Sequence, residues 1–300
     1  HYTNLNAPES LNDWFYDIAS STHFKERKIL FKLGVKDVGK DFRSPGAQTK
    51  RINYSQSPGL YQQFTNDYIG RKVSFSDIIN GNADATFKIS ETLMAYNAAY
   101  SNTNPYGDAT PNRRGMYINL ESLDSLKSKS NYLKCMFLQE SVGSGTLKRK
   151  SFILTQIGSN IRLNKFLKLK KQLKINLGVS NEVTFRGGEE YEQINLSSNF
   201  LDAGLSYEFI PKLNLLFGAK IWQAKGNENL IIRDEFNTVV DFEAIEINFR
   251  EGIVAAGFQY DFSQKNTLTL QYQSFNLKNS SINEISYGIS EFNILYSLNF

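Results

Sequence analysis

The chain has 300 residues with 41% hydrophobic and 13% aromatic side chains, and its formal net charge is +4 from 34 basic and 30 acidic residues. No apolar run approaches the roughly 18 residues that a membrane-spanning helix needs, which argues against a helical membrane protein. The balanced charge argues against a nucleic-acid-binding protein, and the single cysteine, Cys135, excludes an intrachain disulfide framework.

The first 27 residues lack the pattern of the rest of the chain and predict a short helix. Ser10 is a residue type that caps helices, and apolar residues follow it at helical spacing: Leu11, Trp14, Phe15, Ile18 and Ala19. A loosely ordered terminus is the alternative. Because the chain begins with His1 and no signal peptide is visible, we expect that an export signal has been removed.

From Lys28 onward, apolar and polar residues alternate in segments of about ten residues separated by turn residues, which predicts β-strands. In chain order the predicted strands are Lys28–Val38, Lys72–Asn80, Thr86–Tyr100, Gly115–Leu123, Asn131–Glu140, Ser151–Leu163, Gln172–Phe185, Leu196–Ile210, Pro211–Trp222, Gly252–Phe262, Gln264–Asn276 and Ser290–Phe300. This makes about twelve strands. Counts of ten or fourteen strands remain open, because Asn229–Phe249 can also be read as an extension of two strands. Val38–Arg71, rich in Gly, Pro and Gln, predicts a long external connection, with an inward fold as the alternative.

The last predicted strand has the clearest alternation. One face carries Phe292, Ile294, Tyr296, Leu298 and Phe300, whereas the other is mostly polar. The connections also alternate in length. Ile210–Lys212 and Ser263–Asn266 are short, whereas Arg186–Asn195, Lys225–Arg250 and Leu277–Asn283 are longer. Alternating strands joined by short turns at one end and long loops at the other are typical of membrane barrels. The sequence therefore predicts an all-β, transmembrane, antiparallel up-and-down β-barrel.

The polar positions of these strands predict the lining of a lumen. They comprise Arg162, Lys174, Glu182, Asp202, Glu208, Lys220, Gln259, Asp261, Gln271 and Glu291. Buried charges are costly unless they are paired or hydrated, and twelve strands enclose more space than the eight that side chains fill. The lumen thus holds either water, as in a channel, or an ion-pair network with a plug, as in a scaffold.

The final segment, Ser290–Phe300, resembles the C-terminal signal of bacterial outer-membrane proteins, with aromatic residues at alternate positions and a terminal Phe. In that class the barrel assembly machinery reads this strand, and the resemblance assigns that role to Phe292, Tyr296 and Phe300. It implies a location in the bacterial outer membrane, with residues 28–300 as the barrel and residues 1–27 as a periplasmic segment.

The abundance of Lys, Asn, Ile and Tyr, together with the loop Asn104–Arg113, is similar to envelope barrels of the Bacteroidota. In that phylum many barrels are accessory subunits of machines for type IX secretion, gliding and surface-protein export. The resemblance implies a non-catalytic accessory subunit of a multiprotein envelope complex for protein export or surface assembly. A passive, porin-like channel for small polar solutes is the alternative. The expected partners are membrane lipid, lipopolysaccharide, the assembly machinery and other envelope proteins, without nucleic acid.

An outer-membrane hydrolase is the least favoured function. Known enzymes of this architecture place a histidine on the barrel wall or at its outer rim, where it transfers a proton. This chain offers only His1 and His23, both before or beside the first predicted strand. We therefore expect no enzymatic activity and no cofactor.

Three further charged clusters are more simply interpreted as turns and solvated loops than as sites. Asp108 and Asn112 lack the alternating acid pattern of a calcium loop, and we expect no metal site there or in Glu189–Glu192. The run Lys148–Lys150 offers a contact for lipopolysaccharide phosphates. The lysines of a second cluster offer a contact for inner-leaflet phosphates or an acidic partner: Lys165, Lys168, Lys170, Lys171 and Lys174.

Overall fold

The computed structural model describes residues 13–24, 28–40, 42, 102–105, 107–123, 129–235, 239–263, 266–281 and 285–298. These residues form eleven strands in one antiparallel sheet. The strands are β1 (Phe15–Phe24), β2 (Ile29–Val38), β3 (Arg113–Leu123), β4 (Lys129–Gln139), β5 (Ser151–Arg162), β6 (Leu173–Arg186), β7 (Ile194–Ile210), β8 (Leu213–Arg233), β9 (Val239–Asp261), β10 (Asn266–Asn279) and β11 (Ile285–Leu298). A helical turn, α1 (Leu163–Phe166), follows β5, and a 3₁₀ turn spans Glu190–Glu192. None of the helices in these ranges is long and apolar enough to cross a membrane.

Each strand pairs with its neighbours in chain order, so the connections alternate between two ends of the sheet. We call the end that holds Leu298 the C-terminal end; its connections are 25–28, 124–128, 163–172, 211–212 and 262–265. At the opposite end, which we call the long-connection end, the strands are joined through 39–112, 140–150, 187–193, 234–238 and 280–284. The up-and-down topology and the tight turn at Pro211–Lys212 are thus confirmed.

Ten of the predicted strands correspond to β2–β11, whereas Lys72–Asn80, Thr86–Tyr100 and almost all of Val38–Arg71 lie outside the described residues. The predicted long loop Lys225–Arg250 is wrong, whereas the alternative, in which Asn229–Phe249 extends two strands, is confirmed. β8 and β9 continue through this region as a hairpin that extends beyond the neighbouring strands. β7 pairs with β8 only as far as Asn227, whereas β9 pairs with β8 as far as Arg233. The hairpin is braced by Tyr191, whose ring centroid lies 5.7 Å from that of Phe242 and whose carbonyl accepts a hydrogen bond of 2.6 Å from Asn229.

The predicted N-terminal helix is also wrong where the structure describes it. Phe15–Phe24 is a strand that pairs with β2 over ten residues. Its polar centre, Ser20–Thr22, combines residues that are poor helix formers, and a β-branched threonine suits a strand. The sheet therefore begins at Phe15 and not at Lys28. Phe15 lies opposite Val38, at the long-connection end, whereas the sequence placed this segment at the C-terminal end.

The register divides the sheet into an apolar face and a polar face. Directly paired residues share a face, and one row of such pairs crosses seven strands without a polar interruption: Phe31, Leu120, Leu133, Ile157, Val179, Leu201 and Ile221. Across β9 to β11 the same face carries Phe258, Leu270 and Ile294. The apolar positions predicted strand by strand are therefore brought onto one continuous surface.

Burial is inverted relative to a water-soluble sheet. On the apolar face Ile294 is 67% exposed, whereas on the polar face Lys220 is 0% and Gln271 is 3% exposed. Among the described residues, 20 buried side chains are polar or charged and 17 are hydrophobic, so the buried set holds far more polar groups than the core of a water-soluble protein. The sheet thus buries side chains on its polar face and leaves its apolar face exposed.

Candidate functional site: the polar face and the apolar belt

The structure places all ten sequence-selected polar residues on the polar face. Four are buried, namely Glu182, Asp202, Lys220 and Gln271, and the other six are half-buried. Within the signal selected at the C-terminus, Phe292 and Tyr296 lie exposed on the apolar face, and Phe300 is outside the described residues. The two sets therefore occupy opposite faces of one sheet.

The polar face holds a segment of the chain's own backbone near the long-connection end. Residues 102–105 and 107–110, which we call the inward segment, include Thr103 at 0% and Asn104 at 8% exposure. Lys36 on β2 donates hydrogen bonds to the Asn104 side chain (3.2 Å) and to the Asp108 carbonyl (3.1 Å). Glu182 on β6 accepts a hydrogen bond of 2.8 Å from the Thr103 backbone. The sequence predicts a loop and a turn for this stretch, and it does not single out Lys36.

These contacts establish that the sheet is concave on its polar side. Thr103 and Asn104 are consecutive residues, yet they contact strands β6 and β2, respectively. Four strand spacings separate β2 from β6, which amounts to about 19 Å in a flat sheet. A second bridge, the Lys150–Glu228 ion pair, joins the start of β5 to β8. The strands curl around the inward segment, which occupies the space between them.

Apolar side chains fill the polar side of the sheet close to the inward segment. Tyr117, Met136, Leu138, Phe152 and Leu154 form a buried cluster on β3 to β5. The Arg113 guanidinium lies 3.6 Å from the centroid of the Phe152 ring, and it donates hydrogen bonds of 3.1 Å to the carbonyls of Thr103 and Asn102. This end of the interior is therefore packed with protein atoms.

The middle of the polar face carries charge at close quarters. Lys220 Nζ lies 4.0 Å from Asp202 Oδ2, and it lies 5.6 Å and 6.0 Å from the ring centroids of Phe200 and Trp222, which contact each other. Asp202 lies over Gly178, and the Tyr132 ring lies over Gly158 on the same row of pairs. A side chain at either glycine would clash with these groups. The glycines thus allow large polar side chains to lie flat against the wall.

Hydrogen-bonded amides and carboxylates continue this face toward the C-terminal end. Asp261 accepts hydrogen bonds from Asn214 (3.0 Å) and Gln259 (2.9 Å), and Gln273 donates to Glu291 (3.4 Å). Such groups can be satisfied by one another or by water. The face is therefore polar toward the C-terminal end, and near the long-connection end it is covered by the inward segment and the buried apolar cluster.

The apolar face forms a belt of uniform height on β7 to β9. Its outward apolar residues run from Leu201 to Phe209, from Leu213 to Ile221 and from Val254 to Phe262. Each span covers eight residue steps, or roughly 27 Å along the strand. Aromatic side chains concentrate at its C-terminal margin, where the Phe262 ring lies 4.9 Å from Tyr260 and 6.4 Å from Tyr296. At the other margin the outward residues become polar, as at Asn199 and Gln223.

The residues considered for a metal take structural roles. Asp108 lies 3.9 Å from Lys36, and Asn112 exchanges two hydrogen bonds with the backbone of Val142. Glu192 accepts a hydrogen bond from the Glu189 backbone at the 3₁₀ turn. Within the described ranges there is no group of three or more His, Cys, Asp or Glu residues that could hold a metal ion. His23 lies exposed near the C-terminal end of β1, opposite Leu30.

Comparison with known proteins adds no family. No protein-family model matches the chain, and no curated protein matches it. The functional argument therefore depends on the two faces of the sheet, the inward segment and the charged groups.

Proposed function

We propose that the chain is a non-catalytic outer-membrane β-barrel that serves as an accessory or structural subunit of an envelope complex for protein export or surface assembly. One observation carries the membrane proposal: the apolar face is exposed and continuous, whereas the opposite face buries charged and amide side chains such as Asp202, Lys220 and Gln271. In water that arrangement would expose a large apolar surface. In lipid it is the stable arrangement, provided that the sheet closes and leaves no strand edge unpaired.

The dimensions of the belt support this environment. Membrane-barrel strands are tilted by about 35–45°, so a belt of roughly 27 Å along the strand has a height of roughly 20 Å. That is close to the apolar band of about 25 Å found in such barrels. Aromatic residues at the C-terminal margin, including Tyr260 and Phe262, fit the girdle that forms at a membrane interface. The C-terminal end is then periplasmic and the long-connection end external.

The inward segment favours a structural role over an open channel. Lys36, Glu182 and Arg113 hold it between β2 and β6 at the end that we assign to the outside. A passage blocked there by hydrogen-bonded backbone does not conduct freely. The proposed partners are other envelope proteins, with lipid and lipopolysaccharide around the belt and the barrel assembly machinery acting on β11.

A passive channel for small polar solutes is the second candidate. It is favoured by the uncharged polar groups on the interior near the C-terminal end, such as Gln259 and Gln271. A conducting state requires that the inward segment leave its position. Lys36→Ala combined with Glu182→Ala removes its side-chain anchors on β2 and β6.

The test combines location, assembly and conductance. We expect the chain in the outer-membrane fraction on a density gradient and, after mild solubilisation, in a complex larger than the single chain on native gels. Purified protein in planar bilayers should show little conductance, and the double variant should show more. A lone barrel of wild-type protein with steady conductance would favour the channel instead, and protein that stays outside the membrane fraction would reject both.

A further inference from the structure

The connection between β5 and β6 is strongly basic and lies beside the apolar belt. Residues 162–174 contain six cationic and no acidic side chains: Arg162, Lys165, Lys168, Lys170, Lys171 and Lys174. No acidic residue occurs anywhere between Glu140 and Glu182. The connection lies at the C-terminal end of the sheet, directly beside the margin of the apolar belt. A concentration of positive charge there is positioned to meet the headgroups of one leaflet.

Leucines alternate with the lysines and are also exposed. Leu167 is 55% and Leu169 is 44% exposed, and the exposed Phe209 and Ile210 lie at the adjacent end of β7. Exposed leucines would not contribute to the binding of a water-soluble acid. At a membrane interface, however, leucines enter the acyl region and lysines extend toward phosphates.

The backbone of the connection is ordered, which fixes these side chains relative to the belt. Leu167 donates a hydrogen bond of 2.8 Å to Leu163, and Leu169 donates one of 2.9 Å to Asn164. Lys168 adopts the left-handed conformation (φ 53°) that reverses the chain after α1. The pattern of charge and apolar surface is thus displayed as a defined patch.

Lys171 ties the patch to the aromatic margin of the belt. Its Nζ donates a hydrogen bond of 2.7 Å to the Phe209 carbonyl and lies 5.8 Å from the ring centroids of both Tyr207 and Phe209. The nearest carboxylate on β7, Glu208, faces the opposite side of the strand and accepts a hydrogen bond of 3.0 Å from the Gln172 backbone. The positive charge of Lys171 therefore remains on the apolar side, where lipid headgroups would lie.

We propose that Lys165, Lys168, Lys170 and Lys171, with Leu167 and Leu169, form a binding site for the phosphodiester headgroup of an anionic glycerophospholipid. The proposal rests on the proposed membrane location. The site binds the phosphate by charge and admits the first acyl carbons beside the leucines. It selects phosphatidylglycerol-type lipids over zwitterionic ones in the leaflet at the C-terminal end and anchors that end of the barrel.

The test is native mass spectrometry of the full-length chain in detergent micelles that contain equal amounts of phosphatidylglycerol and phosphatidylcholine. A lysine beside an anionic surface contributes roughly a fivefold gain in binding, so we expect wild-type protein to retain phosphatidylglycerol in at least about fivefold excess. A variant with all four lysines changed to Gln should lose the preference, and a variant with the same four changed to Arg should keep it.

The matched control removes four positive charges at the long-connection end: Lys148→Gln, Arg149→Gln, Lys225→Gln and Lys278→Gln. This variant should bind phosphatidylglycerol as the wild type does. Equal retention of both lipids by wild-type protein, or equal losses in the two Gln variants, would overturn the inference and leave the lysines to an acidic protein partner. Insertion into pure phosphatidylcholine vesicles, measured by protease protection, separates the two proposals. Failure to insert rejects the membrane location, whereas insertion without lipid preference rejects only this site.

Discussion

The first and last strands of the sheet, β1 and β11, form an instructive pair. Both lie at an edge of the described sheet, both run toward the C-terminal end, and each pairs with one neighbour within the described residues. Only β11 is predicted as a strand from the alternation in its own sequence. Its outward residues from Phe292 to Leu298 are all apolar, whereas the outward face of β1 has Ser20 and Thr22 at its centre.

The difference teaches that β11 is specified locally and β1 by its partners. Nearly every residue of β1 is exposed on both faces, so packing contributes little to its conformation. Within the described residues, β1 pairs with β2 along its length, and the Phe15 ring centroid lies 5.7 Å from that of Phe42, beyond the end of β2. A side-chain contact also reaches β3. The Tyr117 hydroxyl on β3 donates a hydrogen bond of 2.7 Å to Asp17, and its ring crosses β2 at Gly34.

The largest expected effect comes from a charge on the outward face of β11. Ile294→Arg places a cation within the apolar belt, which costs about 2–4 kcal/mol near the middle of a bilayer. We expect a loss of this size in urea unfolding of protein reconstituted in vesicles, together with poor insertion. Glu291→Gln, on the polar face of the same strand, should insert normally.

The matched change in β1 should have a smaller effect. Ile18 is 69% exposed and Ile294 is 67% exposed, and both lie on the apolar face. Ile18, however, is six residues from the end of its strand at Phe24 and lies near the long-connection margin, where a cation costs only about 0–1 kcal/mol. Equal losses for Ile18→Arg and Ile294→Arg would contradict the difference in depth between the two positions.

A methyl group at Gly34 tests the contact that attaches β1 to β3. In Gly34→Ala the added carbon clashes with the Tyr117 ring, which must move and release Asp17. Overpacking of this kind typically costs about 1–3 kcal/mol. Thermal unfolding should show the loss, with faster proteolysis of β1. Gly252→Ala is the control, since its added carbon meets only ordinary contacts at 3.5 Å, and it should be nearly neutral.

The smallest effect on stability is expected when only the Tyr117–Asp17 hydrogen bond is removed. Tyr117→Phe keeps the ring over Gly34 but removes the donor to Asp17, for an expected cost of about 1 kcal/mol. A double-mutant cycle with Asp17→Asn measures the coupling directly. Additive effects of the two substitutions would indicate that this bond does not stabilise β1.

The alternation of the sequence sufficed to predict β2–β11 and the division into two faces, because the side-chain period of a strand is fixed by its backbone. It did not suffice for β1. The apolar residues of this segment follow a helical spacing, as at Phe15, Ile18 and Ala19, although Phe15–Phe24 is a strand. The sequence predicted the full length of β8 and β9 only as an alternative, the extension of two strands through Asn229–Phe249. Beyond Ile221 the outward residues Gln223 and Lys225 are polar, so the strands lose their pattern although their pairing continues.

The inward segment could not be predicted for a different reason. Its position depends on Lys36 and Glu182, which lie 68 and 79 residues away from Asn104 and Thr103 and are adjacent only after the sheet has curled. Asn104, Pro105 and Asp108 are also common in exposed turns. One residue gave a signal in the sequence for an inward segment. Lys36 places a cation on the polar face of β2 close to the long-connection end, where it needs a partner.

The most direct test of the account is a cysteine scan along β11 that asks which face meets lipid. In a Cys135→Ser background, single cysteines replace residues 291–296 in turn, and each carries a fluorophore that brominated lipids quench. We expect strong quenching at positions 292, 294 and 296 and weak quenching at positions 291, 293 and 295. Quenching by aqueous iodide at the even positions, without any effect of brominated lipid, would contradict a lipid-facing apolar belt.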